Sequence, residues 1–137
     1  DQVIIDAGAG IGGNVRLSLA LATETIVVMN PETTSLTDAY ALVKVASRTR
    51  TGGRFRVVVN RVRVAEQARE IYACLESACR NFLGIELEFA GYVYRDEVVE
   101  RSLRGQRPFV ESYPGSPAAR CVDALSRRIL DVGEKGS

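Results

Sequence analysis

Four short apolar runs govern what this chain can fold into: Val3–Ile5, Thr25–Met29, Arg54–Asn60 and Glu86–Tyr94. The second is β-branched without alternation, and the third starts half-exposed and ends fully apolar, as in strands covered on both faces. Helical patterns stand between them. The clearest is Ala65–Leu83, where Ala68, Ile71, Tyr72, Leu75, Ala78, Cys79 and Phe82 fall at i, i+3, i+4 spacing before Gly84. Gaps of this length accommodate crossover helices. The order βαβαβαβα therefore predicts an α/β fold, a mostly parallel sheet flanked by helices.

The remaining elements follow from shorter signals. Gly13–Ala22 reads as a short, largely buried helix. Leu36 to about Arg50 reads as a helix capped by Ser35 or Thr34, with Asp38 at N3 of a Ser35 cap and Thr51-Gly52-Gly53 as its stop. Glu97–Leu103 is a short helix. Pro108, Pro114 and Pro117 mark an irregular connection, and Ser116-Pro117 starts a last helix from Ala118 to about Val132. On it Ala118, Cys121, Val122, Leu125 and Ile129 form a stripe, better suited to a core than to a membrane surface.

One hundred and thirty-seven residues make one domain, 1–137, with 133–137 expected as a frayed tail. Eighteen basic residues against 17 acidic ones leave no field that argues for nucleic acid. Histidine is absent, which excludes histidine triads, bases and metal ligands. Three cysteines without a C-x-x-C pair suggest free, buried thiols in a reducing cytoplasm. No apolar run reaches the ~18 residues of a membrane span. The chain opens in a strand without Met and is expected to be part of something longer.

Polar residues end three of the strands: Asp6, Asn60 and Asp96. In a parallel sheet they share one edge, where open α/β folds bind ligands. Gly8, Gly10, Gly12 and Gly13 follow Asp6 and let backbone N–H groups approach a phosphate. Asp6 suits Mg²⁺ through water, because hard cations take carboxylate oxygens; it equally suits a cap on its own turn. Asn60 offers a donor and an acceptor to an adenine edge, or makes a local Asx turn. Asp96 fits a helix N-cap as well as a base. Gly8-Ala9-Gly10-Ile11-Gly12-Gly13 matches G-x-G-x-x-G formally, yet no acidic residue ends the second strand to hold a ribose. Arg61, Arg63 and Arg69 read as solvated; Tyr40, Tyr72, Phe82 and Phe89 read as core.

Taken together, Val3-Ile4-Ile5-Asp6-Ala7-Gly8-Ala9-Gly10-Ile11 resembles the switch II strand of MinD/ParA-type deviant-Walker ATPases. The run Asn30-Pro31-Glu32-Thr33-Thr34-Ser35-Leu36-Thr37-Asp38-Ala39-Tyr40 is similar to the FlhG-type flagellar-number regulators within that family. Val58-Val59-Asn60-Arg61-Val62, Gly91-Tyr92-Val93-Tyr94-Arg95-Asp96 and Tyr113-Pro114-Gly115-Ser116-Pro117 match later segments in the same order. The family usually has proline where Tyr94 stands.

The resemblance implies a P-loop NTPase-like fold with ATP and Mg²⁺ as cofactors. Asp6 would orient a metal-bound water, Gly8 and Gly10 would meet phosphate, and Asn60, Arg61 and Asp96 would line the adenine site. It implies a homodimer formed around ATP, cytoplasmic and peripheral at the inner membrane. It further implies control of flagellar number with the GTPase FlhF or with basal-body and regulatory proteins. Alternatives are a chromosome, plasmid or division-site partitioning ATPase, and a non-catalytic α/β interaction module. No G-K-[ST] occurs in the chain, so the family's phosphate-loop lysine and switch I are expected outside it. The chain alone is then expected to bind ATP weakly, not to hydrolyse it, and either to be a truncated product or to fold by pairing or swapping strands in a dimer.

Overall fold

The computed structural model describes residues 1–49 and 53–135. Strands β1 (Glu24–Met29), β2 (Arg54–Val62) and β3 (Glu88–Tyr94) form a parallel sheet in the order β1-β2-β3. Six helices accompany it: α1 (Gly13–Leu21), α2 (Thr33–Thr49), α3 (Ala65–Leu83), α4 (Glu97–Gly105), α5 (Phe109–Ser112) and α6 (Pro117–Lys135). The α/β class and parallel pairing are as the sequence predicts. The Thr51-Gly52 helix stop and the last two tail residues lie outside the described residues.

Alternate residues of β2 feed two cores. Val57 and Val59 pack with Val27, Met29, Val43 and Leu75, beneath α2 and α3. Val58 turns the other way and packs with Ala90, Val93, Ala118 and Leu125, beneath α6. This is why the run lacks alternation: both faces of the strand are covered. Helix α6 is thereby a core-packing helix. Ser116 Oγ accepts the Ala119 N–H at 3.2 Å, and Pro117 occupies the first helical position.

Val3–Ile5 is not a strand. Val3 and Ile4 are 87% and 90% exposed, and the segment pairs with no described strand. A β-strand needs a neighbour to take its N–H and C=O groups, and β1 does not supply one here. The second face of β1 is bare as well: Ile26 and Val28 are 39% and 61% exposed, while Val27 and Met29 are buried. A cleft of about 1340 Å³ lies between the opening segment and β1.

Helix α2 begins at Thr33 rather than after a Ser35 cap. The Ser35 and Leu36 N–H groups both donate to the Glu32 carbonyl. The Ser35 hydroxyl instead accepts the Asn30 N–H at 2.8 Å, tying the helix to the end of β1. Helix α3 has the predicted bounds and ends on Gly84 in the left-handed conformation. Phe82, expected in the core, is 79% exposed. From buried Cys79 the inward direction returns at i+4, so Leu83 takes the core place. Tyr72 is partly buried; its hydroxyl donates to the Leu87 carbonyl at 2.7 Å and its ring lies 5.0 Å from Phe89. Cys79 is buried as expected, whereas Cys74 is exposed.

Arg56, placed by sequence in the half-exposed start of its strand, is only 2% exposed. It lies between Glu24 of β1 at 3.1 Å and Glu88 of β3 at 3.5 Å, bridging all three strands at their amino ends.

Candidate functional site

The carboxyl edge of the sheet carries most of the candidate residues. Parallel pairing brings the ends of β1, β2 and β3 to one side, so Asn30, Asn60 and Asp96 follow or occupy neighbouring strand ends. Val59 pairs with Tyr92 but Val62 with Tyr94, so β2 takes three steps where β3 takes two. Asn60 and Arg61 form the resulting bulge. Arg61 sits at φ 59, in the left-handed region, with its N–H donating to Asn60 Oδ1 at 2.9 Å. Bulges of this kind redirect side chains and recur beside binding sites. Asn60 thus makes the local backbone contact that sequence left open, and its side-chain nitrogen makes no other hydrogen bond among the described residues.

Asp96 is a double cap. Its Oδ1 accepts the Val98 N–H of α4 at 3.1 Å, and its Oδ2 accepts the Ala118 N–H of α6 at 3.1 Å. One carboxylate therefore fixes two helix starts against the end of β3, and helix dipoles favour a negative charge there. The N-cap alternative for Asp96 is the observed one. Each carboxylate oxygen has capacity for a further donor.

Asp6, Gly8 and Gly10 lie apart from these residues, along the large cleft with Ser35 and Asp38. Asp6 is exposed, and its Oδ1 accepts the Gly8 N–H at 3.3 Å, closing the turn. Gly8 and Gly10 have φ 71 and 95, which side chains rarely adopt, so the turn needs glycine at both. Metal fit is partial: Asp6 brings a single carboxylate, and no cluster of three His, Cys, Asp or Glu exists among the described residues. That is compatible with contact through water and not with a complete cation site.

The loop after β1 joins the two regions. Ser35 and Asp38 border the large cleft, while Pro31 and Glu32 border a cavity of about 200 Å³ with Arg61, Arg63, Gln67 and Arg95. Arg63, Gln67 and Arg95 were not among the expected binding residues. Arginines flanking two strand ends were the available signal. Arg69, by contrast, is exposed on α3, as read from the sequence.

Of the thiols, Cys79 is pushed up to about 11, first by burial and then by the Glu76 charge. Tyr94 lies above its usual value because it shares a hydrogen bond with Tyr92. Neither group borders a cavity described here. No helix among the described residues is long and apolar enough to cross a membrane.

No protein-family model matches the chain. Individual proteins do. The antiactivator FleN of Pseudomonas aeruginosa is 33% identical over 129 residues, 94% of this chain and 46% of FleN. The flagellum site-determining protein YlxH of Helicobacter pylori is 24% identical over 138 residues, 100% of this chain and 46% of YlxH. An uncharacterized ATP-binding protein of Methanocaldococcus jannaschii is 30% identical over 129 residues, 93% of this chain and 46% of that protein. Among solved structures, the cell division ATPase MinD of Pyrococcus furiosus superposes with a TM-score of 0.73 at 19% identity, over 93% of this chain and 50% of MinD; it speaks for the fold. The chain spans about half the length of the curated relatives it matches. In sequence and in fold, it is similar to the C-terminal part of MinD/ParA-type ATPases.

Proposed function

We propose that this chain forms the switch-and-base side of an ATP-dependent, dimerising switch that sets flagellar number or placement. The carrying observation is the loop after β1: its Ser35 borders the cleft that the Asp6–Gly10 turn lines, and its Pro31 and Glu32 border the cavity that Arg61 lines. One of the relatives is named a flagellum site-determining protein, another an antiactivator, and a third is described as ATP-binding. The first of these names supports a flagellar role over chromosome, plasmid or division-site partitioning.

Bound Mg·ATP would supply the phosphate charge that such a switch reads. On this reading Gly8 and Gly10 bring backbone N–H groups to phosphate, and the Gly8 N–H exchanges Asp6 for the ligand. Asp6 would be the residue to hold the metal, through water. Asn60 and Asp96 present donor and acceptor groups to the adenine edge, and Arg61 flanks them. The rest of the phosphate grip, with its lysine, comes from residues outside this chain. The bare face of β1 and the exposed Val3–Ile5 segment mark where further strands would continue the sheet.

The switch is proposed to act as a cytoplasmic homodimer that reaches the inner membrane peripherally, with an FlhF-type GTPase or basal-body regulators as partners. The test uses the full-length protein. Mant-ATP titration should show binding that Asn60→Ala weakens about tenfold, and Asp6→Asn should leave binding but abolish the ATP-induced dimer in sedimentation. Flagellar counts in cells carrying either variant should depart from wild type. Unchanged affinity in Asn60→Ala with normal flagellation would refute the reading.

A further inference from the structure

The small cavity at the carboxyl edge has a charge pattern of which the nucleotide reading uses only Arg61. Arg61, Arg63 and Arg95 line it together with Gln67, Pro31 and a single carboxylate, Glu32. Three guanidinium groups against one carboxylate leave a net lining charge of +2. Among the described residues, the ion pairs are those of Arg54, Arg56, Arg80 and Arg127; none involves these three arginines.

The backbone under each arginine is fixed. Arg61 stands in the bulge at φ 59. The Arg63 N–H donates to Gln67 Oε1 at 2.9 Å, and the Arg95 N–H donates to the Val62 carbonyl at 2.8 Å. A left-handed arginine is a strained residue, of a kind that persists where surroundings enforce it and that gathers at ligand sites. Here Arg61 falls in the bulge between paired Val59 and Val62, and it lines the same cavity as Arg63 and Arg95.

We propose that this cavity is a phosphate-binding site, taking one phosphate dianion between Arg61, Arg63 and Arg95. Planar guanidinium forks match phosphate oxygens in pairs, and a +2 lining balances a dianion. At roughly 30 Å³ per water in the liquid, about 200 Å³ holds a phosphate group with a few waters. The phosphate belongs either to the nucleotide or to a separate phosphate ester.

The experiment is calorimetric titration of the full-length protein with inorganic phosphate at fixed ionic strength, with and without saturating ADP. Saturable binding is expected, weakened about tenfold by Arg63→Gln and by Arg95→Gln and unaltered by Arg69→Gln, which lies outside the cavity. Arginine-dependent binding that persists under ADP assigns the site to a separate phosphate ester. Arginine-dependent binding that ADP blocks assigns it to a nucleotide phosphate. Arg61→Gly should raise the melting temperature by relieving the left-handed strain while lowering phosphate affinity, opposite movements that a merely structural Arg61 would not give. Phosphate binding that neither Arg63→Gln nor Arg95→Gln weakens, or no saturable binding in either arm, overturns the proposal. The site does not rest on the adenine reading: Asn60→Ala should weaken ATP binding and leave phosphate binding in place.

Discussion

Replacing Arg56 by methionine should leave stability within about 1 kcal/mol of the parent, although Arg56 bridges three strands. Arg56 is 2% exposed, with carboxylates at 3.1 and 3.5 Å from its guanidinium. Yet Nε and Nη1 are buried without a hydrogen bond of acceptable geometry, so the contacts supply charge but not alignment. An unsatisfied buried donor costs about 1–3 kcal/mol, and Arg56 has two. Its partners are partly solvated, with side chains 27% and 48% exposed, which reduces what each pair returns. The gain and the penalty are of one size, and a methionine of similar reach keeps the packing of the alkyl stem. Removing a partner has a different sign. Glu24→Gln leaves a buried cation with only the more distant carboxylate, and should cost about 1–2 kcal/mol. The assay is urea unfolding of both variants followed by far-UV circular dichroism. A loss above about 3 kcal/mol in Arg56→Met, or a smaller loss in Glu24→Gln than in Arg56→Met, would refute the reasoning.

Gly91→Ala should destabilise by about 3 kcal/mol, because a Cβ would meet Leu125 Cδ2 at 2.8 Å and the residue holds φ 149; thermal unfolding measures it, and a loss below about 1 kcal/mol would mean that α6 shifts freely. Cys74 should react with a thiol reagent in the native protein while Cys79 reacts only on unfolding, since the first is exposed and the second buried. The raised value of Cys79, about 11 against an ordinary 9.0, favours the neutral thiol in the fold. Its contribution of about 3 kcal/mol is therefore complete below pH 9 and lost as pH rises through 11; a Cys79→Ala variant should lose that part of the alkaline dependence. Asp96→Asn keeps the shape but removes the charge shared by two helix starts, and should cost about 1–2 kcal/mol in urea unfolding; no loss would mean that α4 and α6 are held by packing alone. The chain by itself should self-associate through the bare β1, and Val28→Lys should shift it toward monomer in sedimentation velocity; an unaltered monomer–dimer balance would place the contact elsewhere.

What could be read from the sequence was set by how local each cause is. Helix α3 repeats its apolar stripe five times over Ala65–Leu83, and its bounds were legible to the residue. Strand β2 was legible because both faces are covered. Arg56 was not, because its burial depends on Glu24 and Glu88, each 32 residues away and brought level only by the parallel register. The cap role of Asp96 was visible toward Val98, two residues on; its second partner, Ala118, is 22 residues on and left no trace in the local pattern.

The opening segment gives the sharper lesson. Val3–Ile5 has strand composition, and the turn that follows has glycine at the two positions, 8 and 10, whose φ demands it. The local chemistry of strand end and turn is therefore all present, yet the segment is exposed and unpaired. Composition specifies what a segment tolerates; pairing specifies whether it becomes a strand, and pairing is a property of two segments. The same reasoning separates the two halves of the candidate site. Asn60, Arg61 and Asp96 stand on strands that find neighbours within the chain, so their geometry is fixed by hydrogen bonds at 2.9–3.1 Å. Asp6 stands on a segment without one, and among the described residues the sole bond that orients it runs to its own turn at 3.3 Å. The Asn60–Asp96 side of the edge is thus built by strands that pair within the chain, whereas the Asp6 turn is oriented by its own backbone contact to Gly8.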